Sequence, residues 1–190
     1  MTDLLFVRHG ESTWNATGRW QGQSDPPLSQ VGRGQAAAAA TALEDRGILL
    51  LAASDLQRAA ETAGLIGEAL GLAPRLLPEL RELDVGRWSG LRHEEIAARF
   101  PTELARFRAG DQDVRPGGGE SRRELRARAT AALSALAAEA PGRVVAVSHL
   151  GVLRALRPGV ELVNASWVEI SRGELTAVPD GYHGGPIDRL

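Results

Sequence analysis

The sequence predicts an α/β fold built around a mostly parallel sheet. Three short, continuous apolar runs indicate buried strands, at residues 4–7, 48–53 and 144–147. Helical patterns lie between these runs, and strands that alternate with helices are typical of a parallel sheet whose faces are covered by helices. No internal repeat or linker divides the chain, so we expect one domain over residues 1–190.

Start and stop signals for helices organise the first part of the chain. Ser29 is a candidate N-cap for a helix that runs to Leu43, with Gly47 just beyond its end. A second helix is predicted from about residue 57 to residue 70, where Gly71 ends it. The middle of the chain is then predicted to hold, in order, a short strand at 75–77, a polar loop at 79–90, short helices at 92–99 and 102–109, and a glycine-rich loop at 111–119.

The last third of the chain begins with a long helix. Ser121 starts an Ala-, Leu- and Arg-rich run to about residue 139, which Pro141 stops. Beyond the strand at 144–147, the tail is predicted to add strands at 167–170 and 175–178. We expect four arginines of the long helix to form a solvated face: Arg122, Arg123, Arg126 and Arg128.

Composition excludes several classes of protein. The 190 residues include 0 Cys, and all 22 basic residues are arginine, which excludes disulfides, thiolate chemistry, Walker-type nucleotide loops and lysine Schiff bases. A formal net charge of -2 argues against a nucleic-acid binder that relies on bulk positive charge. The apolar runs fall far short of the roughly 20 residues that span a bilayer. With no basic leader at the start, we expect a cytoplasmic protein without a membrane or nucleic-acid partner.

Polar side chains at the ends of the predicted strands indicate a site. Arg8 and His9 follow the first strand, Arg58 opens the helix after the second, and His149 follows the third. Ligands of open α/β sheets bind outside the carboxyl ends of the strands, so these side chains can converge. Two guanidiniums suit a phosphate dianion, and histidine is the nucleophile left for phosphoryl transfer when cysteine is absent. Glu82 lies in a loop able to supply an acid for the leaving oxygen.

Blocks of residues along the chain then match a known family in order. The blocks lie at residues 5–15, 20–29, 54–63, 80–90, 117–121 and 147–154. They resemble the histidine phosphatase superfamily, which has the phosphoglycerate mutase-like fold, over almost the whole chain. The resemblance implies a three-layer α/β/α fold with a mostly parallel central sheet and a small helical cap inserted at about residues 88–118.

The same resemblance implies a mechanism. His9 attacks phosphorus and becomes a phosphohistidine, while Glu82 protonates the leaving oxygen and then assists the water that cleaves the intermediate. No metal or other cofactor is expected, because arginines and a second imidazole supply the countercharge. The residues implied to bind phosphate or to stabilise the transition state are Arg8, Asn15, Gln21, Arg58, His149 and Leu150.

One position departs from the family pattern. Many members follow the second histidine with two glycines, whereas here Leu150 takes the first of these positions. A leucine restricts φ and adds bulk, so we expect a modest change in pocket shape and retained catalysis. Two further histidines are expected to lie outside the chemistry: His93 on an exposed helix face and His183 in a glycine-rich tail.

Hydrolysis is favoured over phosphate transfer. Only 26 residues, 91–116, separate Gly90 from Gly117, which leaves no room for a large lid that would exclude water. The predicted function is a metal-independent phosphomonoesterase that acts on a small phosphorylated metabolite, as a monomer or a homodimer. A phosphoglycerate mutase and a non-catalytic phospholigand-binding protein are the alternatives. Arginines near the predicted mouth would suit a substrate with a second acid group: Arg87, Arg92 and Arg115.

A short block in the tail resembles particular phosphatase branches. Residues 164–167, Asn-Ala-Ser-Trp, are similar to a block of glucosyl-3-phosphoglycerate phosphatases. They are also similar to the α-ribazole and broad-specificity phosphatases. One block of this length does not separate these branches.

Overall fold

The centre of the fold is a sheet of short strands. The computed structural model describes residues 4–176, and among these the strands are β1 (Leu4–Arg8), β2 (Ile48–Ala53), β3 (Arg75–Leu76), β4 (Arg143–Ser148) and β5 (Trp167–Ile170). They lie in the order β3-β2-β4-β1-β5, with β5 antiparallel to β1 and the other neighbours parallel. The predicted α/β fold with a mostly parallel sheet is confirmed.

Helices cover both faces of this sheet. They are α1 (Gln30–Leu43), α2 (Gln57–Leu70), α3 (His93–Arg99), α4 (Pro101–Arg108), α5 (Arg122–Glu139), α6 (Leu150–Leu156) and α7 (Arg172–Thr176). Alternate residues of β1 point to opposite faces: Leu5 and Val7 pack with α1 and α2, and Leu4 and Phe6 pack with α5 and α6. Two apolar cores therefore separate three layers. Across residues 4–176, no helix is both long enough and apolar enough to cross a bilayer.

Local signals explain where the long helices begin and end. The Ser29 hydroxyl accepts a hydrogen bond from the Gly32 amide at the start of α1. Ser121 and Glu124 form a capping box at the start of α5. Gly71 ends α2 in the left-handed conformation, with a φ of 67°. The three long helices predicted from these signals are confirmed.

The short helices between β3 and α5 pack on an aromatic cluster. Trp88 lies 5.3 Å from Trp20 and 5.5 Å from Phe107 between ring centroids, and all three rings are buried. Phe107 belongs to α4, so the cluster joins the short helices to the loop that carries Trp88. The helix predicted at 102–109 begins one residue earlier, because Pro101 is the first residue of α4. At that position a proline has no helical N–H bond to lose.

The tail differs from the prediction. The strand predicted at residues 175–178 is wrong where the structure describes it, because α7 occupies Arg172–Thr176. The Ser171 amide donates to the Glu174 carboxylate at 2.9 Å, and the Glu174 amide donates to the Ser171 hydroxyl at 3.3 Å. This capping box starts a helix where the apolar residues alone indicated a strand. Residues 177–178 and His183 lie outside the described residues.

The solvated arginine face predicted on α5 is also largely wrong. The Arg122 guanidinium lies 3.7 Å above the Phe107 ring, and Arg126 donates to the Ala155 carbonyl. The Arg128 side chain is only 21% exposed, whereas that of Arg123 is 68% exposed. A long aliphatic stem lets an arginine cover apolar surface while its guanidinium reaches backbone carbonyls of other segments.

Candidate active site

Two histidines meet at the carboxyl ends of adjacent strands. His9 follows β1 and His149 follows β4, and the two strands pair in parallel with Arg8 opposite Ser148. The His9 amide donates to the Ser148 carbonyl at 2.9 Å, which ties the two strand ends together. The imidazole centroids lie 5.1 Å apart. Parallel pairing thus brings side chains that are distant in the chain into one small volume.

The geometry of His9 leaves one ring nitrogen available for chemistry. Its Nδ1 lies 2.6 Å from the Gly10 carbonyl oxygen, so Nδ1 carries the proton and donates, and Nε2 keeps its lone pair. Burial lowers the pKa of His9 well below the usual 6.5, and the charges of Arg58 and Arg8 lower it further. The imidazole is therefore neutral near pH 7, which is the form that can act as a nucleophile.

Arg58 places a guanidinium in the same volume. It lies in the first turn of α2, is 0% exposed, and donates to the carbonyls of Gly22 and Ser24 at 2.8 Å each. These bonds hold the guanidinium flat against the loop that follows Trp20. Burial lowers the pKa of Arg58 to about 10, which still leaves it cationic at neutral pH.

Several buried polar atoms in this volume have no partner among residues 4–176. They are Nε of Arg8, Nε of Arg58 and both ring nitrogens of His149. Arg8 is anchored by one bond from Nη1 to the Leu162 carbonyl, at 2.7 Å. A buried donor without an acceptor costs about 1–3 kcal/mol, so unpaired donors gathered here indicate a place for an anionic ligand. Burial also lowers the pKa of His149 well below its usual range.

Glu82 reaches the site from the loop between β3 and α3. Its Oε1 accepts from the Leu83 amide at 2.8 Å, and its Oε2 accepts from the Gly151 amide at 3.1 Å. The carboxylate is 5% exposed. A narrow cavity, which we call the cup, lies against it and is lined by Arg8, His9, Gln21, Gly22, Arg58, Glu82 and Leu150. His149 is not part of this lining, and its ring lies next to that of His9.

The two predicted amide side chains occupy different places. Gln21 is buried in the wall of the cup, and its Oε1 accepts from the Ser12 hydroxyl at 2.7 Å. Its NH2 group is therefore the part of the side chain that can donate a hydrogen bond to an anion. Asn15 lies in the wall of an adjoining groove, where its Oδ1 accepts from the Ser12 amide at 3.0 Å. Leu150 lines both the cup and the groove as the first residue of α6, a position whose helical φ a leucine adopts readily.

The groove beside the cup has a volume of about 400 Å³ and a mixed lining. Arg19 and His93 contribute positive or polar groups, against the expectation that His93 lies on an exposed face. The arginines predicted near the mouth do not line it: Arg87 packs over the Phe100 ring, Arg92 caps α3, and Arg115 pairs with Glu124. The remaining lining residues include Glu11, Trp20, Glu161, Leu162, Val163 and Asn164.

Sequence reasoning missed two residues at this site. Gly151 lies directly beneath the Glu82 carboxylate, and a glycine after the second histidine was the available signal. Arg128 binds the backbone of the loop that carries Glu82, and nothing in a single helical sequence distinguishes it from its exposed neighbours. Within residues 4–176, no group of three or more His, Asp or Glu side chains is arranged to hold a metal ion.

Comparisons with known proteins identify the family of the chain. The histidine phosphatase superfamily (branch 1) matches residues 4–178. The chain is 38% identical over 189 residues to the glucosyl-3-phosphoglycerate phosphatase of Mycobacterium tuberculosis strain H37Rv, covering 88% of this chain and 84% of that protein. It is 41% identical over 162 residues to a metal-independent phosphoserine phosphatase of Arabidopsis thaliana, covering 82% and 67% respectively.

A solved structure shows the same architecture. A mycobacterial glucosyl-3-phosphoglycerate phosphatase in complex with VO3 has a TM-score of 0.84 and 38% identity, over 90% of this chain and 91% of that one. The fold, the family match over most of the chain and the relatives at this level of identity all point the same way. The chain belongs to the histidine phosphatase superfamily, branch 1, and is a phosphoric monoester hydrolase.

Proposed function

We propose that the chain hydrolyses phosphomonoesters of small metabolites through a phosphohistidine formed on His9. The observation that carries this proposal is the buried His9 imidazole, with its Nδ1 engaged by the Gly10 carbonyl, beside the buried Arg58 and the half-buried Arg8 in one cavity. A neutral imidazole can use its Nε2 lone pair, and Arg8 and Arg58 attract a phosphate dianion to the same place.

The phosphate group would occupy the cup. The unpartnered Nε donors of Arg8 and Arg58 and the NH2 end of Gln21 are available to its oxygens. His149 supplies one more N–H, because a neutral imidazole carries one ring proton. Asn15 would donate from the rim, since its Oδ1 is already occupied and its NH2 group remains. These donors act most strongly on oxygens that gain charge in the transition state.

The first chemical step forms the phosphoenzyme. Nε2 of His9 attacks phosphorus while the bond from phosphorus to the leaving oxygen breaks in line with it. The electron pair of that bond goes to the leaving oxygen, and protonated Glu82 transfers its proton there. The products of this step are an alcohol, phosphohistidine and the Glu82 carboxylate.

The second step returns the enzyme to its starting state. The Glu82 carboxylate accepts a proton from water as the water oxygen attacks the phosphohistidine. The P–N bond breaks, its electron pair returns to Nε2 of His9, and inorganic phosphate leaves the cup. One carboxyl group therefore acts as acid in the first step and as base in the second.

The leaving group would lie in the groove next to the cup. Leu150 and Leu162 offer apolar contact, while Arg19 and Glu11 offer charge and hydrogen bonds. Such walls fit a small polar metabolite better than a long apolar chain. The rim of the groove is exposed, with Val163 at 73%, so water can reach the intermediate and hydrolysis is favoured over retention of the phosphoryl group.

The test is hydrolysis of p-nitrophenyl phosphate and of a panel of phosphorylated metabolites, each with and without a metal chelator. We expect turnover that the chelator does not change, and a ³²P label trapped on the wild-type protein but not on His9→Ala. Turnover that survives in His9→Ala would refute the phosphohistidine. Primer-dependent movement of phosphate between positions of phosphoglycerate would establish the mutase alternative, and phosphate binding without turnover would establish the binding protein.

Four further properties of the protein are predictions that belong to this proposal. They are a metal-independent reaction, a single domain over residues 1–190 with a cap at about 88–118, a monomeric or homodimeric state, and a cytoplasmic location. The chelator arm of the assay checks the first, and the molar mass in solution checks the oligomeric state.

A further inference from the structure

A single guanidinium donates hydrogen bonds to several backbone carbonyls of the loop that carries Glu82. Arg128, on α5, donates from Nη1 to the carbonyls of Glu79 and Arg81 at 2.7 and 2.8 Å. Its Nη2 donates to the carbonyl of Glu82 at 2.9 Å. Three carbonyls from four consecutive residues therefore converge on one side chain, which is possible because arginine presents five donors in a rigid plane.

Glu120 holds this guanidinium in place. Arg128 Nε donates to Oε1 of Glu120 at 2.7 Å and Nη2 donates to Oε2 at 2.8 Å, which is a two-point contact. Both side chains are largely buried, at 21% and 15% exposed. The Glu120 amide also donates to the Asp84 carbonyl at 2.8 Å, so the same pair fixes the loop on the far side of Glu82.

The second support of this loop is weaker. The Arg81 side chain pairs with Asp55 beside the end of β2, but the two side chains are 38% and 22% exposed. Exposed ion pairs stabilise little, whereas the Arg128 contacts are charge-assisted bonds to backbone groups in a largely buried place. The Ser148 hydroxyl also donates to the Leu80 carbonyl, at 2.7 Å, in a buried place. Arg128 bonds to the other three carbonyls of residues 79–82, so it is the side chain with the most contacts to this backbone.

The position of the Glu82 carboxylate depends on that backbone. Both of its oxygens bond to backbone amides, those of Leu83 and Gly151, so the position of the carboxylate follows the position of that backbone. A general acid must come within about 2.6–3.2 Å of the oxygen that it protonates. Misplacement of a catalytic group by about 1 Å can cost about 100-fold in rate.

We propose that Arg128, held by Glu120, is the positioning residue that sets the distance between the Glu82 carboxyl and the leaving oxygen. This inference rests on the proposed role of Glu82 as proton donor. It assigns to Arg128 a specific effect on proton transfer, distinct from a general effect on folding. It also predicts that the effect grows with the basicity of the leaving group, because a strongly basic alkoxide needs the proton and a weakly basic phenolate does not.

The experiment measures kcat/KM of Arg128→Gln on two substrates. One is p-nitrophenyl phosphate, with a weakly basic leaving group, and the other is phosphoserine or glycerol phosphate, with an alkoxide. Because kcat/KM covers binding and phosphoenzyme formation but not the later hydrolysis, the comparison of the two leaving groups reports the need for protonation of the leaving oxygen. We expect a loss of about 10- to 100-fold on the alkyl ester and less than about 3-fold on the aryl ester. Glu82→Gln serves as the reference and should show the same pattern with a larger loss.

Arg123→Gln is the matched control. Arg123 lies on the same helix, its side chain is 68% exposed, and it pairs with Asp113 rather than with the loop. For this variant, kcat/KM on both substrates should equal that of the wild-type protein. Arg128→Lys keeps the charge but loses the planar set of five donors. Its kcat/KM on the alkyl ester should lie between those of wild type and Arg128→Gln.

Equal fractional losses on the two substrates would overturn the inference, because they would indicate a structural role only. So would additive losses in the Glu82→Gln/Arg128→Gln double variant, since a positioning residue has nothing left to position once the donor is gone. If Arg128→Gln fails to fold, Glu120→Gln and Arg128→Lys carry the same comparison, with kinetics measured well below the Tm of each variant. A Glu82→Gln variant with no leaving-group dependence would instead refute the proposed function of Glu82, and the inference with it.

Discussion

The amide nitrogen of Gly151 lies 3.1 Å from Oε2 of Glu82, and a Cβ atom added at Gly151 would lie only 2.1 Å from Oε1. The absence of a side chain at position 151 is therefore what lets the start of α6 approach the carboxylate. The two residues lie far apart in the chain. They meet because β3 and β4 run in the same direction, so the segments that follow them leave the sheet at the same end.

Gly151→Ala should displace the Glu82 carboxylate. The added methyl group cannot coexist with Oε1, and the helix backbone cannot move away without disturbing His149. We expect kcat/KM on an alkyl phosphate to fall about 10- to 100-fold, a loss of the size seen when general acid catalysis is impaired. Gly64→Ala in α2 is the control, since its added Cβ would point into open space beside the helix. Wild-type rates in Gly151→Ala would contradict the contact.

Leu150→Gly should restore the more usual family residue with little change in activity. Leu150 is 3% exposed and contributes bulk to the cup and the groove. Its hydrocarbon side chain offers no donor or acceptor to a substrate. We expect kcat/KM to change by less than about 3-fold, while the lost burial and the glycine in a helix lower the free energy of unfolding by about 2–4 kcal/mol. Thermal melts and steady-state kinetics on the same preparation check both. A large loss of activity at unchanged stability would show that Leu150 has a direct part in catalysis.

Stability should fall as the pH drops below the usual histidine range. Burial lowers the pKa of both His9 and His149 below 6.5, so the unfolded chain binds protons there at a pH where the folded chain does not. The stabilisation is complete above pH 6.5 and is lost as the pH falls toward the folded-state pKa, at a slope of up to about 1.4 kcal/mol per pH unit for each histidine. Tm measured from pH 8 to pH 5.5 in phosphate-free buffer should show this decline. The His149→Gln variant should show a shallower decline, and an unchanged slope would count against the neutral buried pair.

Inorganic phosphate or vanadate should stabilise the folded protein through the cup. A ligand that binds only the folded state at 100 times its Kd adds about 2.7 kcal/mol to the free energy of unfolding. We expect a rise in Tm for wild type that is largely lost in Arg8→Gln, because Arg8 supplies an unpartnered Nε donor to the cup. Arg33→Gln is the control, since its guanidinium pairs with Glu61 at an exposed position. An equal rise in wild type and Arg8→Gln would place the anion elsewhere.

Prediction from sequence succeeded where the signal is local. Apolar runs between polar ends indicated β1, β2 and β4, and caps such as Ser29 and Ser121 marked the long helices. The prediction failed at α7, where Ser171 and Glu174 build a capping box in a segment that also suits a strand. A short apolar run is ambiguous between helix and strand, and the neighbouring cap decides it.

For the site, residue type and order in the chain were enough to nominate His9, His149, Glu82 and the two arginines, because few side chains suit phosphoryl transfer in a chain without cysteine or lysine. Their distances were not available from the sequence, since they depend on which strands become neighbours. The contacts of Arg128 and Gly151 with the Glu82 segment, and the place of His93 in the wall of the groove, likewise depend on packing between segments far apart in the chain. A long arginine on a helix looks the same in sequence whether it meets water or a row of carbonyls. Only the folded chain determines which of the two lies within its reach.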